Sequence, residues 1–192
     1  KCDVIANGHT LDLLRRAHAF GLNLAKLDIR QSSDKHRKLF KSIIAYLGLG
    51  DYEKWSENEK IDFLTKEFKS KRPLIPRDIK LNKEEAEVWE TFQMISKLPR
   101  ECLGAYVISM ASSVSDILSV LILQKEAGIK SYLRIVPLFE TYNDLKNSAN
   151  IMENLYSNKW YVNYFNHKQE IMIGYSDSSK DVGKLSASWA QY

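Results

Sequence analysis

Four charged residues, Arg30, Glu140, Asp177 and Lys180, fall where short apolar runs end. Two carboxylates on one face suit Mg²⁺ or Mn²⁺, hard cations that take oxygen ligands and keep positions open for substrate oxygens. An arginine beside them suits a phosphate or carboxylate, which its planar fork grips through two hydrogen bonds. A lysine at a helix start adds a point charge next to backbone N–H groups that also favour anions. The set describes a metal-assisted site for a small, doubly anionic, phosphorylated acid. A plainer reading stands beside it: Asp177 caps a helix and Lys180 is a solvated charge, because Ser and Asp caps are common. An Asp–Lys pair at this spacing contributes only ~0.2–0.5 kcal/mol. Pairing is therefore a poor reason for Asp177, Lys180 and Asp181 to gather beside one apolar strand. His36 and His167 have no partner His or Cys at ligand spacing, and read as surface or supporting histidines.

These residues need elements that carry them to a common edge. The stretch from Glu170 to Gly183 opens with apolar residues too few for a helix. It passes into Ser176-Asp177-Ser178, which is turn and N-cap chemistry, and a helical pattern follows through Leu185, Trp189 and Tyr192. The expectation is a buried strand, a tight turn and a helix, with Asp177 at the strand end and Lys180 in the first helical turn. The same rhythm runs upstream. Ala105–Met110 reads as a strand, and Ser113 or Ser115 caps an apolar helix from Asp116 to Ala127. Arg134–Glu140 is the next strand, and Thr141-Tyr142-Asn143-Asp144 caps a helix to about Tyr156.

An earlier strand, Leu22–Gln31, follows a short amphipathic helix over Thr10–Phe20 and ends near Arg30. Its burial candidates are Leu22, Leu24, Leu27 and Ile29, although the alternation slips near Ala25. A helix capped by Ser33 or Asp34 runs to Leu47, and Ser56-Glu57-Asn58-Glu59 opens another to about Ser70. Asn82-Lys83-Glu84-Glu85 opens a third, through Val88, Trp89, Phe92 and Ile95. Consecutive parallel strands with crossover helices imply a doubly wound sheet or part of a (β/α)₈ barrel. Both gather their ligands at the strand C-termini.

The chain's 192 residues suffice for a sizeable core, and 44% hydrophobic with 27% charged residues is an ordinary globular balance. The net charge of +4 is mild and the lysines are spread among acids, so nucleic acid is not indicated. No apolar run approaches the ~20 residues of a membrane span. Cys2 and Cys102 form no metal or redox spacing, so a reducing compartment, the cytoplasm, is the expected setting. The chain starts with Lys and stops at Tyr192 inside a helical pattern, as a piece of something larger would.

At these residues the sequence also resembles a known family. Ile171-Met172-Ile173-Gly174-Tyr175-Ser176-Asp177-Ser178-Ser179-Lys180-Asp181 is similar to the signature of phosphoenolpyruvate carboxylase. The likeness continues, in the same order, at Leu27–Gln31, Leu47–Tyr52, Ser70–Leu74, Ala105–Met110 and Pro137–Thr141, and covers essentially the whole chain. Val182 departs from it, standing where a smaller residue is usual.

The resemblance implies an enzyme that joins phosphoenolpyruvate and bicarbonate into oxaloacetate and phosphate, using Mg²⁺ or Mn²⁺, on a largely helical fold centred on a (β/α)₈ barrel. The implied fold class is α/β, one segment of that barrel, with a helical insertion over about 34–100 and a β-α-β-α-β-α half-barrel over about 104–192. Glu140 and Asp177 match metal ligands, Arg30 a phosphate-binding arginine, and Lys180 a lysine associated with bicarbonate. Leu138 and Met172 match part of an apolar pocket for transient CO₂, and Glu67 and Arg72 a charged pair at the interface of a homotetramer. The resemblance also places a catalytic histidine before this chain and a glycine- and arginine-rich loop after it. These 192 residues alone are expected to be inactive and poorly soluble. Two alternatives remain: another phosphoenolpyruvate- or pyruvate-handling barrel, and a catalytically dead homologue kept as an oligomerisation or regulatory subunit.

Overall fold

The computed structural model describes residues 6–21, 23–165 and 168–192; Cys2, Leu22 and His167 lie outside them. In chain order the elements are α1 (Leu11–Phe20), β1 (Leu27–Ser32), α2 (Ser33–Tyr46), α3 (Glu57–Lys69), α4 (Lys83–Lys97), β2 (Leu103–Ser109) and α5 (Val114–Glu126). There follow β3 (Arg134–Phe139), α6 (Tyr142–Ser157), α7 (Lys159–Tyr164), β4 (Met172–Ile173), α8 (Tyr175–Val182) and α9 (Lys184–Gln191). The four strands are parallel and lie side by side in chain order, β1-β2-β3-β4.

Alternation along the strands divides the apolar residues between two faces. Tyr106, Ile108, Ile135 and Phe139 belong to the main core, packed with Leu39, Phe40 and Ile43 of α2, Phe92 of α4 and Leu121 of α5. Ala105, Val107, Val136 and Leu138, with Met172 against them, form a separate cluster. Helix α5 is buried without interruption from Val114 to Gln124, as expected of a helix apolar all round. Its first turn is held by neighbours. Asp116, 1% exposed, accepts from Arg37 Nε at 2.8 Å and Nη2 at 2.9 Å, and also from the Ser112 and Ser113 N–H groups. Glu57 of α3 accepts from the Ser115 N–H at 2.7 Å and its hydroxyl at 2.9 Å. The boxes Ser56/Glu59, Asn82/Glu85 and Thr141/Asp144 form as the sequence indicates, each stabilising its helix by about 1 kcal/mol.

Two expectations are corrected at β1. The strand begins at Leu27, and Leu24 and Leu27 are exposed. The cause is a bond to the neighbouring strand: Asp28 Oδ1 accepts the Ala105 N–H at 2.7 Å, and the register shifts between Leu27 and Ile29. Regular alternation therefore starts only at Ile29, which packs against the main core.

His36 is not a surface group. It is fully buried, with its Nε2 2.8 Å from the Tyr106 hydroxyl and its ring beside Phe92. Burial lowers its pKa from 6.5 to about 4. No described helix is long and apolar enough to cross a membrane.

The lowered pKa has a definite sign in stability. The unfolded ring takes up a proton near pH 6.5, and the folded one only near 4. The group's contribution is complete above about pH 6.5 and falls away as the pH drops towards 4. We expect a His36→Gln variant of the full-length protein to lose less of its thermal midpoint between pH 7 and 5 than the wild type. An equal loss would show that another group governs acid sensitivity.

Candidate functional site

Four of the candidate residues, Arg30, Leu138, Glu140 and Met172, are brought to one face by strand register. Residues paired across a parallel ladder point to the same face, and alternate residues along a strand share it. Arg30 pairs with Val107, Val107 with Val136, and Leu138 with Met172. Arg30, Val136, Leu138 and Met172 therefore share the face opposite the main core. Glu140, just past the end of β3, continues the alternation. Arg30 Nη2 reaches over β2 and donates to Glu140 Oε2 at 3.0 Å. The Glu140 side chain is 11% exposed and the Arg30 side chain 55%. Leu138 and Met172 lie in the apolar cluster with Ala105, Val107 and Val136, so the charged pair borders an apolar patch.

Asp177 and Lys180 come from α8, where the expected local structure is corrected. The strand expected to be buried is not: β4 contains only Met172, half-buried, and Ile173, exposed, and α8 starts at once, with Gly174 as its cap residue. Ser176, Asp177 and Ser178 lie inside the first helical turn and make no separate turn. The Ser178 hydroxyl donates back to Gly174 O at 2.7 Å and accepts from Gln191 Nε2 at 2.6 Å. Asp177 is thus near the helix N-terminus, whereas Lys180 is in the last turn. The expectation that Lys180 stands beside free N–H groups is overturned. It donates instead to Asp177 Oδ1 at 3.2 Å. Gly183, at φ 79°, breaks the helix expected to continue to Tyr192, and α9 follows. Leu185, Trp189 and Tyr192 are exposed.

The structure thus makes two ion pairs, Arg30–Glu140 and Asp177–Lys180, and one backbone bridge between them. The Gly174 N–H donates to Phe139 O at 3.0 Å. A Cβ at Gly174 would stand 2.7 Å from the Glu140 Cβ, so only glycine allows this approach of the two strand ends. Glu140 and Asp177 fit Mg²⁺ or Mn²⁺ by donor chemistry: one carboxylate just past the end of β3 and one in the first turn of α8, the helix that follows β4, for ions that need only one or two carboxylates. No group of three or more His, Cys, Asp or Glu suited to a metal occurs among the described residues. His36, hydrogen-bonded inside the core, is not part of this site.

Glu67 and Arg72 meet within this chain, Nη2 to Oε1 at 3.3 Å, with Glu67 nearly buried and Arg72 exposed. Their loop is pinned by α5. Lys125 donates to the Glu67 and Ser70 carbonyls at 2.6 and 2.7 Å, and Glu126 accepts the Leu74 N–H at 2.6 Å.

Sequence reasoning missed Met110. This non-glycine residue directly follows β2 with φ 57°, and the Ser33 hydroxyl donates to its carbonyl at 2.6 Å. No residue type or spacing signals a methionine in that conformation. Gly174 did carry a signal, a lone glycine at a strand end.

The Gly174 contact yields a prediction. A Gly174→Ala substitution is expected to push the ends of β3 and β4 apart and cost about 1–3 kcal/mol, as overpacking does. Hydrogen exchange of the residue-174 amide should speed up; an unchanged rate would show that Glu140 can yield without cost.

The comparisons with known proteins agree with one another. A family model described as phosphoenolpyruvate carboxylase matches residues 1–192. A phosphoenolpyruvate carboxylase of Marinobacter nauticus is 51% identical over 190 residues, 99% of this chain and 22% of that protein. One from Hahella chejuensis is 49% identical over the same shares of both chains. The plant protein phosphoenolpyruvate carboxylase 1 of Sorghum bicolor is 50% identical, over 98% of this chain and 20% of its own length. The chain spans about a fifth of the length of the curated relatives it matches.

Proposed function

The chain belongs to the phosphoenolpyruvate carboxylase family, a family of lyases, and we propose that the full-length protein converts phosphoenolpyruvate and bicarbonate to oxaloacetate and phosphate. One observation carries the reading at the site: Arg30, Leu138, Glu140 and Met172 share one sheet face, with Arg30 in contact with Glu140.

In this reading Glu140 and Asp177 hold Mg²⁺ or Mn²⁺, which when bound supplies Lewis-acid stabilisation of substrate oxygens. Arg30 binds the substrate phosphate, exchanging its bond to Glu140 for a bidentate grip on the anion. Lys180, with an exposed ammonium, assists bicarbonate. Bicarbonate attacks the phosphorus, forming carboxyphosphate and the enolate of pyruvate. Carboxyphosphate then releases CO₂ and phosphate, and the enolate carbon attacks CO₂. Leu138 and Met172 offer CO₂ an apolar wall, which the cluster with Ala105, Val107 and Val136 extends.

The strand order supports a barrel segment. A doubly wound sheet reverses its order at a switch point, whereas β1-β2-β3-β4 runs one way, with the helical core on one face. Residues 34–100 form its helical insertion and 104–192 the half-barrel. A homotetramer is the proposed assembly, with Arg72 presented at the contact on its pinned loop. The free thiol of Cys102 fits a reducing cytoplasm.

The test is phosphate release from phosphoenolpyruvate by the full-length protein with Mn²⁺, with and without bicarbonate. Release should require bicarbonate and yield oxaloacetate, and Asp177→Asn should lower it on the order of 10²–10³-fold. Release independent of bicarbonate would refute the reaction while keeping the barrel. No release at all would favour a catalytically dead homologue.

A further inference from the structure

Of the three charges gathered around α8, Asp181 has no part in the chemistry above. It is bonded across the site. Asp181 Oδ2 accepts the backbone N–H of Tyr142 at 2.9 Å. Tyr142 is the first residue of α6 and stands two positions after Glu140. The first N–H groups of a helix have no partner within it. Here Thr141 and Asp144 satisfy each other, Asp144 N–H to Thr141 Oγ1 at 3.1 Å and Thr141 N–H to Asp144 Oδ2 at 3.1 Å. That arrangement leaves the Tyr142 N–H to Asp181.

Two hydrogen bonds then bracket both carboxylates. On one side Gly174 N–H meets Phe139 O, and on the other Tyr142 N–H meets Asp181. Glu140 lies between Phe139 and Tyr142 along the chain, and Asp177 lies between Gly174 and Asp181. The two segments form a closed frame, so the separation of the carboxylates is set at both ends. The first bond ties the start of α8, and the second ties its last turn. We propose that Asp181 is a positioning residue that holds Asp177 at its working distance from Glu140. The inference rests on the metal-binding reading of these two carboxylates.

The experiment is Mn²⁺ binding to the full-length protein, read from the electron paramagnetic resonance signal of free Mn²⁺. It needs no turnover. Asp181→Ala should weaken binding about 10-fold, the scale of losing a supporting partner of a metal ligand. Asp181→Asn, which keeps an acceptor oxygen, should stay within about 3-fold of wild type on the same scale. Tyr142→Pro removes the donor without altering charge. Proline is favoured at the first helical position, and Thr141 already has the extended backbone that a following proline requires (φ −96°, ψ 161°). This variant should bind as weakly as Asp181→Ala, while Tyr142→Ala, which keeps the N–H, should bind like wild type. Wild-type affinity in both Asp181→Ala and Tyr142→Pro overturns the inference. So does equal weakening in Asp181→Asn and Asp181→Ala with Tyr142→Pro unaffected, which would assign the effect to charge. Asp177→Asn is the control for the reading beneath: if it binds Mn²⁺ like wild type, the metal assignment itself fails, whatever Asp181 does.

Discussion

A parallel strand points successive side chains to opposite faces, and in this chain that constraint separates stability from chemistry. Tyr106, Ile108, Ile135 and Phe139 go to the helical side and join the main core. Val107, Val136 and Leu138 go to the other side, in line with Arg30 and Glu140. A slip of one residue in β3 would exchange Leu138 for Phe139 and send Glu140 towards the helices. The apolar patch and the charged pair therefore stand or fall with one register. That register is enforced from the helical side, where α5 is buried along its whole inner length and tied to α2 through Arg37–Asp116.

The energetics of the two faces differ in kind. Burying a side chain such as Ile135 or Phe139 contributes about 1.5–3 kcal/mol. The Asp177–Lys180 pair is open to solvent and Arg30–Glu140 is half open, and such pairs contribute about 0–1 kcal/mol. Removing either pair would change stability little. Their occurrence at the C-terminal side of the sheet is thus poorly explained by folding. It agrees with the proposed function, which needs two carboxylates and two cations near a nonpolar surface. Gly174 supports the same view: it forgoes a side chain at a position whose open space is filled by Glu140.

Much of this was legible in the sequence because its signals are local. The boxes at Ser56, Asn82 and Thr141 need only residue types at fixed spacing, and all three form. The strands read over Ala105–Met110 and Arg134–Glu140 from short apolar runs also form, each ending one residue earlier, at Ser109 and Phe139. The errors arose where a distant group competes with local preference. Leu24 and Leu27 read as strand, but the Asp28 side chain takes a ladder N–H and alternation begins later. Ser176-Asp177-Ser178 reads as a turn, yet the register of β4 on β3 and the inward Ser178 hydroxyl let the helix begin at Tyr175. His36 read as a surface or supporting residue because a single sequence does not show that Tyr106, 70 positions away, supplies its partner. The residue types of the candidate site were legible, but the bonds that space them, Gly174–Phe139 and Asp181–Tyr142, link segments that only the sheet brings together.

The weakness of the site's ion pairs suits the proposed chemistry. A fully buried Arg–carboxylate pair resists separation, because either partner left alone pays the full desolvation penalty. The Arg30 side chain is 55% exposed, so water can take over its contacts during an exchange of partners. Glu140 is the more enclosed member, and its backbone is framed by Phe139, Gly174 and Tyr142. The geometry therefore pairs a fixed anion with a movable cation. A ligand phosphate can draw Arg30 away with a charge-assisted contact of comparable or greater strength, while Glu140 keeps its position. Reversing the burial, with arginine enclosed and glutamate free, would fix the proposed phosphate grip and loosen the proposed metal ligand. A site proposed to receive and release a phosphorylated substrate around a bound cation is better served by the arrangement found.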